Sequence, residues 1–405
     1  MRLLSQVSHL APFTLSTHLL IGAMLIGCPS DRAATSAHGG AAGSSGSSGR
    51  AGNGGAGGGG TDGGADGGAE NVTVVAAGVR WIGRVDTSDL SAPRFAWTGT
   101  GFTARFSGTA VGVELGNDDA YFFQVVIDGN KAQRFQAAKG RAVRSLATGL
   151  ASGSHTLELY RENEAGYGIS QFFGITEATL ETPPPALGRL IEFVGDSITA
   201  GYGNLGNEPH PNYANPSPCT FSFDTQSAYM SYGAVTARAL GADASIVAVS
   251  GWGVYRSRTG DANEVLPKVY GGALGLSTPA AWDFRVKPQA VVINLGTNDF
   301  GPGDPGDAFA AALGTFVDTV RMRYPAAWIF CAVGTMYSAA QHAKALSYAQ
   351  SVVFARGRDS GKVAVVDLGL QDALQGTGCD WHPSAAEDQR MADVLVPVMK
   401  QKLSW

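Results

Sequence analysis

Five apolar segments alternate with helical patterns in the second half of the chain. The apolar segments are LIEFVG (190–195), SIVAVSG (245–251), AVVINLG (290–296), WIFCAVG (328–334) and KVAVVDLG (362–369). The helical patterns cover residues 227–240, 308–322, 339–358 and 385–402. This alternation predicts an α/β domain at residues 187–405, with a five-stranded parallel sheet flanked by helices. In such sheets, ligands bind at the carboxyl ends of the strands.

Residues 71–183 follow a different pattern. Short segments rich in β-branched and aromatic residues, such as VRWIGRV (79–85) and YFFQVVIDG (121–129), are separated by Gly, Asn and Asp. This pattern predicts an all-β sandwich. Three consecutive prolines, at positions 183–185, favour an extended connection and mark the boundary between the two predicted domains.

The start of the chain has the features of a bacterial export signal. Residues 1–28 hold an apolar run that is too short to span a membrane, and LIGC (25–28) resembles a lipobox, which makes Cys28 the predicted site of lipidation. An ordinary signal that ends in a free cysteine is the alternative. Residues 29–70 are mostly Gly, Ala and Ser, and we predict a flexible linker. We therefore expect an exported protein, lipid-anchored at the bacterial cell envelope on the outer membrane or cell surface.

Charge and cysteine content narrow the possible partners. The net charge of −5 provides no basic surface for nucleic acid, and the lipid anchor is the membrane contact that we expect. Cys219 and Cys379 both lie in polar loop sequence, so a disulfide between them is plausible in an exported protein, although sequence cannot fix connectivity. The cysteines do not have zinc-site spacing, and we predict neither a metal nor another cofactor.

Four blocks place polar or glycine residues near strand or loop ends. Ser197 follows the first strand in IEFVGDSITAGYGN, where it is either a nucleophile or a helix cap. VSGWGVYR contains Gly251 and Gly253, either of which can donate a backbone amide to a ligand. Asn298 in NLGTNDF offers an amide donor, although Asn is also a common turn residue. His382 in GCDWHPS is a candidate general base.

In this order the four blocks resemble the SGNH (GDSL-like) hydrolase superfamily. The resemblance implies Ser197 as nucleophile and His382 as base. It also implies an oxyanion hole formed by the backbone amides of Ser197 and Gly253 and the side chain of Asn298. A serine hydroxyl needs a neighbouring base to become a good nucleophile, and the tetrahedral intermediate needs fixed donors.

One position departs from the superfamily pattern. Most members have an aspartate three residues before the histidine, where this chain has Cys379, and Asp380 is only two residues before. Either the Asp380 carboxylate orients the histidine, or a backbone carbonyl does so and the enzyme uses a Ser–His dyad. We expect Asp196 and Asp299 to anchor their turns by hydrogen bonds.

A narrower resemblance comes from the β-sandwich and from further motifs. GYGN (201–204), CTFSFDTQSAY (219–229), GVYR (253–256) and GCDWHPS (378–384) look like carbohydrate esterase family 2. The resemblance implies a jelly-roll-like first domain and a serine esterase. Such an enzyme removes O-acetyl groups from acetylated xylan or glucomannan through an acetyl-enzyme intermediate.

Aromatic residues beside the four blocks are candidates for stacking on sugar rings. They are Tyr202, Trp252, Tyr255 and Trp381. Each is also a reasonable packing residue, and Trp381 is the strongest candidate because it adjoins the predicted base in a loop. An SGNH lipase, a thioesterase, an O-acetyltransferase and a non-catalytic glycan-binding lipoprotein are the alternative functions. The last is disfavoured because both the serine and the histidine are present.

Overall fold

The first half of the described chain is built from β-strands, with one 3-10 turn at Ala165–Tyr167. The computed structural model describes residues 74–206, 219–276 and 280–405. The strands are β1 Val75–Ala76, β2 Val79–Ile82, β3 Arg94–Phe95, β4 Gly101–Ser107, β5 Ala110–Asn117, β6 Tyr121–Ile127, β7 Asn130–Ala137, β8 Gly140–Thr148, β9 Ser154–Arg161, β10 Ser170–Thr176 and β11 Thr179–Glu181. They form two sheets, β1-β2-β4-β9-β6-β7 with β11 paired to β4, and β3-β10-β5-β8.

The two sheets pack face to face around an aromatic core. Phe172 of the second sheet lies with its ring centroid 4.7 Å from that of Phe102 in the first sheet. Along β5, Val111, Val113 and Leu115 are buried at alternate positions, as expected when one face of a strand points into a core. The predicted β-sandwich is confirmed.

The second half contains a parallel five-stranded sheet, which confirms the other part of the fold prediction. Its strands are β12 Leu190–Gly195, β13 Asp243–Ala248, β14 Ala290–Asn294, β15 Trp328–Val333 and β16 Val363–Asp367. The helices are α1 Ser197–Ala200, α2 Tyr232–Ala239, α3 Asp307–Arg323, α4 Ala339–Ser360 and α5 Ala385–Leu403. The strand order is β13-β12-β14-β15-β16. The chain therefore reverses its direction of winding beside β12, and the carboxyl end of this strand is the expected ligand site.

Helices cover both faces of this sheet. Val292 of β14 packs in a core with Met391 and Leu395 of α5. Its neighbour Ile293 packs in a second core with Leu313 of α3 and Ala349 of α4. Adjacent residues of one strand thus enter opposite cores, which explains why these strands are apolar throughout instead of alternating.

Helix α2 begins at Tyr232, later than the predicted start at residue 227. The backbone N–H of Ser227 donates to the Asn204 side chain at 2.9 Å, and the N–H of Tyr229 donates to Glu162 at 2.9 Å. Because these groups bind residues far away in the sequence, the segment before α2 is used for tertiary contacts in place of a first helical turn.

A buried ion pair connects the two halves. Arg84 of the sandwich lies 3.1 Å from Glu192 of β12, and both side chains are almost completely buried. The hydroxyl of Tyr270 donates to the same carboxylate at 2.6 Å. Trp97 of the sandwich is fully buried in the core that also holds α3 and α4. The sandwich and the α/β domain therefore share buried contacts at their boundary.

Several predictions concern parts of the chain outside the described residues. They are the signal at residues 1–28, the lipidation site Cys28 and the linker at residues 29–70. Within the described ranges, none of the helices combines the length and the apolar character that crossing a bilayer would require.

Candidate active site

Ser197 lies at the carboxyl end of β12, at the start of α1. The side chain of Asp196 caps this short helix by accepting a hydrogen bond from the backbone N–H of Ile198 at 3.0 Å. A side chain at position 195 would overlap Thr199, so glycine is needed for the tight turn from strand to helix. The turn presents the Ser197 hydroxyl at the sheet edge where a ligand is expected.

His382 lies within hydrogen-bond distance of this hydroxyl. Ser197 Oγ is 2.8 Å from His382 Nε2. On the other side of the ring, Nδ1 lies 3.2 Å from the backbone carbonyl oxygen of Asp380. A carbonyl can only accept, so Nδ1 carries the proton and Nε2 is free to accept from Ser197. The structure thus holds the tautomer that a general base requires.

The side-chain carboxylate of Asp380 forms its hydrogen bonds with neighbouring loops. It accepts hydrogen bonds from the Tyr202 hydroxyl at 3.0 Å and from the backbone N–H of Phe221 at 3.1 Å. Asp380 adopts a left-handed conformation, with φ 50° and ψ 37°, and its backbone carbonyl lies against the imidazole. Of the two alternatives left open by the sequence, the structure has the backbone carbonyl of Asp380 at the His382 ring.

The GYGN turn supports the loop that carries His382. The backbone N–H of Cys379 donates to Gly203 O at 2.9 Å. A Cβ on Gly203, which has φ 63°, would lie 2.9 Å from the Cys379 Cβ. Cys379 also forms a disulfide with Cys219, the pairing considered in the sequence analysis. The loop before the histidine is therefore held by backbone hydrogen bonds and a covalent cross-link.

Asn204 ties this turn to α5 and was missed by the sequence analysis. Its side-chain amide donates to Ser227 O and to Asp388 Oδ2, both at 2.9 Å, and its backbone carbonyl accepts from the N–H of Ala385 at 2.9 Å. Burial raises the pKa of Asp388 to about 8. The sequence signal that could have identified Asn204 was its place as the polar residue at the end of the glycine-rich turn GYGN.

The proposed oxyanion donors Asn298 and Gly253 are joined by a network. Asn298 Nδ2 donates to Asp196 Oδ2 at 3.2 Å and to Trp252 O at 3.0 Å. The Asp299 carboxylate accepts from three consecutive backbone N–H groups, those of residues 254–256. A Cβ on Gly253 would overlap this carboxylate, so glycine is required there. Asp196 and Asp299 anchor their turns, and Gly253 lies at the start of the segment that Asp299 holds.

Burial dominates the electrostatics of the site. Desolvation lowers the pKa of His382 to about 4, although its hydrogen bonds to the backbone of residues 379 and 380 act in the opposite direction. The positive charge of Arg258, a residue that the sequence analysis did not consider, lowers the same pKa further. Burial also raises the pKa of Asp196 to about 7, helped by the nearby negative charges of Asp299 and Glu164.

The four predicted sugar-stacking residues have different surroundings. Tyr202 stacks on Phe221 with ring centroids 4.0 Å apart, and it also lies 4.3 Å from the His382 ring, so it is a wall of the site. Trp252 is half-buried against the protein core. Tyr255 is 37% exposed. Trp381 lines an open cavity of about 500 Å³ next to the His382 loop. Their contact with a sugar remains a prediction.

Comparisons with known proteins identify the family. Residues 81–185 match the carbohydrate esterase 2 N-terminal domain, and residues 193–391 match the GDSL-like lipase/acylhydrolase family. The solved structure of a family two carbohydrate esterase from Clostridium thermocellum, in complex with cellohexaose, is 37% identical. It has a TM-score of 0.76, and the match covers 81% of this chain and 99% of that one. This chain belongs to carbohydrate esterase family 2.

Two curated relatives extend this result. The cellulase/esterase CelE of Acetivibrio thermocellus is 37% identical over 333 residues, which cover 81% of this chain and 40% of that protein. The matched family 2 region is thus less than half of CelE. An acetylxylan esterase/glucomannan deacetylase of Cellvibrio japonicus is 29% identical over 324 residues, or 76% of this chain and 85% of that one.

The His382 ring is held by the backbone carbonyl of Asp380, and this leads to a prediction for this family 2 protein. Asp380→Asn should keep kcat for p-nitrophenyl acetate within about tenfold, because the carbonyl at His382 is unchanged and only side-chain hydrogen bonds are weakened. Ser197→Ala and His382→Ala should each lose at least about 10⁴-fold. Steady-state kinetics on variants with native circular dichroism will measure both. Equal losses in Asp380→Asn and Ser197→Ala would contradict the assignment.

The lowered pKa of His382 predicts that the acid limb of the pH–activity profile lies at an unusually low pH. The base works only when neutral, so activity is lost as the pH falls through the pKa of His382, and kcat/KM should fall near pH 4 instead of near 6.5. The pH profile of kcat/KM measures this. NMR titration of the His382 ring in Ser197→Ala, assigned with His382→Gln, separates its titration from that of Asp196. A ring pKa of 6 or above would show the prediction to be wrong.

Proposed function

We propose that this protein is a serine esterase that removes O-acetyl groups from plant polysaccharides such as xylan and glucomannan. The observation that carries the proposal is the 2.8 Å contact between Ser197 Oγ and His382 Nε2, with the tautomer of His382 fixed for proton acceptance. The choice of substrate is supported by the acetylxylan esterase/glucomannan deacetylase among the relatives.

In the proposed first step, Ser197 Oγ attacks the acetyl carbonyl carbon while its proton passes to His382 Nε2. The resulting oxyanion receives hydrogen bonds from the backbone N–H groups of Ser197 and Gly253 and from Asn298. One N–H of Asn298 leaves the 3.2 Å bond to Asp196 to do so. The intermediate collapses, the C–O bond to the sugar breaks, and the leaving hydroxyl takes the proton from His382.

The second step releases acetate. A water molecule gives a proton to His382 Nε2 and attacks the acetyl carbon bonded to Ser197. The same donors stabilise the second oxyanion, and Ser197 Oγ leaves with the proton from the imidazolium. Throughout, the Asp380 carbonyl accepts from Nδ1 and stabilises the charged ring. An Asp carboxylate is therefore not needed to orient the base.

Substrate preference separates this proposal from the other acyl-transfer functions. We expect p-nitrophenyl acetate to be hydrolysed faster than the butyrate and octanoate esters, and acetate to be released from acetylated xylan or glucomannan. Activity should be unchanged in a chelator, since Ser197 and His382 supply the nucleophile and base and the oxyanion donors polarise the carbonyl in place of a metal ion. A panel of these substrates with and without chelator is the test. Faster turnover of the longer esters, or inhibition by the chelator, would contradict the proposal.

We also propose that the protein is exported and lipid-anchored through Cys28 at the bacterial cell envelope. The lipobox-like LIGC and the glycine-rich residues 29–70 support this, and the Cys219–Cys379 disulfide suits an oxidising compartment. Mass spectrometry of the native membrane fraction should find lipid on Cys28, while a chain truncated to start at Ala69 should be active without membranes. An unmodified Cys28 in that fraction would refute the anchor.

A further inference from the structure

Three consecutive residues of the sandwich lie in the boundary with the α/β domain. They are Glu162, Asn163 and Glu164, which directly follow β9 and are all buried. Glu162 accepts hydrogen bonds from Ser227 Oγ at 3.0 Å and from the N–H of Tyr229 at 2.9 Å. The side chain of Asn163 donates to the Phe223 carbonyl at 3.0 Å. We call residues 162–164 the docking segment. The docking segment thus contacts residues 223–229, which lie in the loop between α1 and α2.

Glu164 of the docking segment reaches a second loop. Its carboxylate accepts hydrogen bonds from the backbone N–H of Ser250 at 2.7 Å and from the Ser250 hydroxyl. The Gln226 side-chain amide donates to it at 3.4 Å. These partners are neutral, and the ion pairs of the described residues do not include Glu164. Burying a carboxylate without a cation costs stability, so its presence here calls for a specific role.

Ser250 lies in residues 249–253, the segment after β13 that ends at Gly253, which we call the oxyanion loop. Strand β13 ends at Ala248, and Gly253 is only three residues beyond Ser250. The carbonyl of Trp252, between them, accepts the hydrogen bond from the Asn298 side chain at 3.0 Å. A shift of Ser250 would therefore move Gly253 and also the Trp252 carbonyl that orients Asn298. Gly253 and Asn298 are two of the three proposed oxyanion donors.

A second contact runs from Glu164 to the serine turn. The Gln226 amide that donates to Glu164 also donates to the carbonyl of Ala200 at 3.2 Å. Ala200 is the last residue of α1, the short helix that begins with Ser197. Glu164 thus contacts the oxyanion loop directly and the serine turn through one intervening side chain.

We propose that Glu164 is a positioning residue, through which the β-sandwich holds residues 249–253 at the geometry needed to stabilise the oxyanion. The sandwich then contributes to catalysis itself, in addition to any contact that it makes with a polysaccharide. This inference rests on the proposed esterase function. It predicts a loss in kcat and little change in KM, because the affected groups act mainly on the transition state.

The experiment compares Glu164 with a matched contact at the other end of the boundary. Glu164→Ala should lower kcat for p-nitrophenyl acetate by about 10- to 100-fold, the loss expected from small displacements of catalytic groups. Glu164→Gln keeps an acceptor for the Ser250 N–H and should recover most of this loss. The control is Asp243→Asn, which breaks the 2.7 Å ion pair with Arg80 at the amino end of β13. It should lower Tm and leave kcat unchanged.

A double-mutant cycle gives an independent measure, including for the case in which Glu164→Ala does not fold. Ser250→Ala removes only the hydroxyl contact, so it should lower kcat in the same direction but by less. In the Glu164→Gln background, Ser250→Ala should lower kcat by a smaller factor than it does in the wild type, because both substitutions act on the same contact. Additive effects of the two substitutions, or wild-type kcat in a folded Glu164→Ala, would overturn the proposal. Equal losses of kcat in Glu164→Ala and Asp243→Asn would do so as well.

A failure of the proposed function would be visible separately. In that case the wild-type protein itself would hydrolyse neither p-nitrophenyl acetate nor acetylated xylan. The positioning role would then be read from the rate at which a fluorophosphonate modifies Ser197, followed by intact-protein mass spectrometry. Slower modification in Glu164→Ala than in Asp243→Asn supports the role of Glu164, and equal rates contradict it.

Discussion

The hydrogen bond between Ser197 and His382 joins two residues 185 positions apart, and much of the surrounding structure serves to keep them together. Ser197 closely follows β12, an interior strand of the parallel sheet, which is a rigid support. His382 lies in a loop, where rigidity has to come from other contacts. The GYGN turn, the Cys219–Cys379 disulfide and the Asn204–Asp388 hydrogen bond provide it. A short polar contact between distant segments is thus made possible by several local restraints.

The β-sandwich is a second support of the same site. At one end of the boundary, the buried pair Arg84–Glu192 joins it to the middle of β12. At the other end, the docking segment lies beside the loops that follow β12 and β13. Removing one partner of a buried ion pair leaves the other charge buried and unpaired, which is strongly destabilising. The sandwich therefore forms part of the environment of the loops that follow β12 and β13.

The fold could be predicted because its signals are local, and Ser197 and His382 could be proposed as a pair because four short motifs, taken in order, resemble a known superfamily. Apolar strands that alternate with helical patterns determine a parallel sheet, and parallel strands bring residues at their carboxyl ends, such as Ser197 and Asn298, to one edge. The orienting group of His382 was not predictable in this way. The choice between the carboxylate and the carbonyl of Asp380 depends on its left-handed backbone conformation, for which an aspartate gives only a weak signal.

Contacts between distant segments that carry no known motif were also beyond sequence reasoning. Asn204 and Asp388 are separated by 184 positions, and Glu164 and Ser250 by 86, so neither pair forms a local pattern. A buried glutamate in the sandwich has the same appearance in the sequence as a surface glutamate. The late start of α2 has the same origin, since Glu162 and Asn204 take the hydrogen-bonding groups of residues 227 and 229.

The crystal structure of the protein after reaction with a small fluorophosphonate would test the central claim most directly. The account predicts a covalent bond to Ser197 Oγ. It also predicts that the phosphoryl oxygen lies about 2.7–3.2 Å from Asn298 Nδ2 and from the backbone nitrogens of Ser197 and Gly253. His382 Nδ1 should still donate to the carbonyl of Asp380. A phosphoryl oxygen directed away from these donors, or a His382 ring turned to the carboxylate of Asp380, would contradict the account.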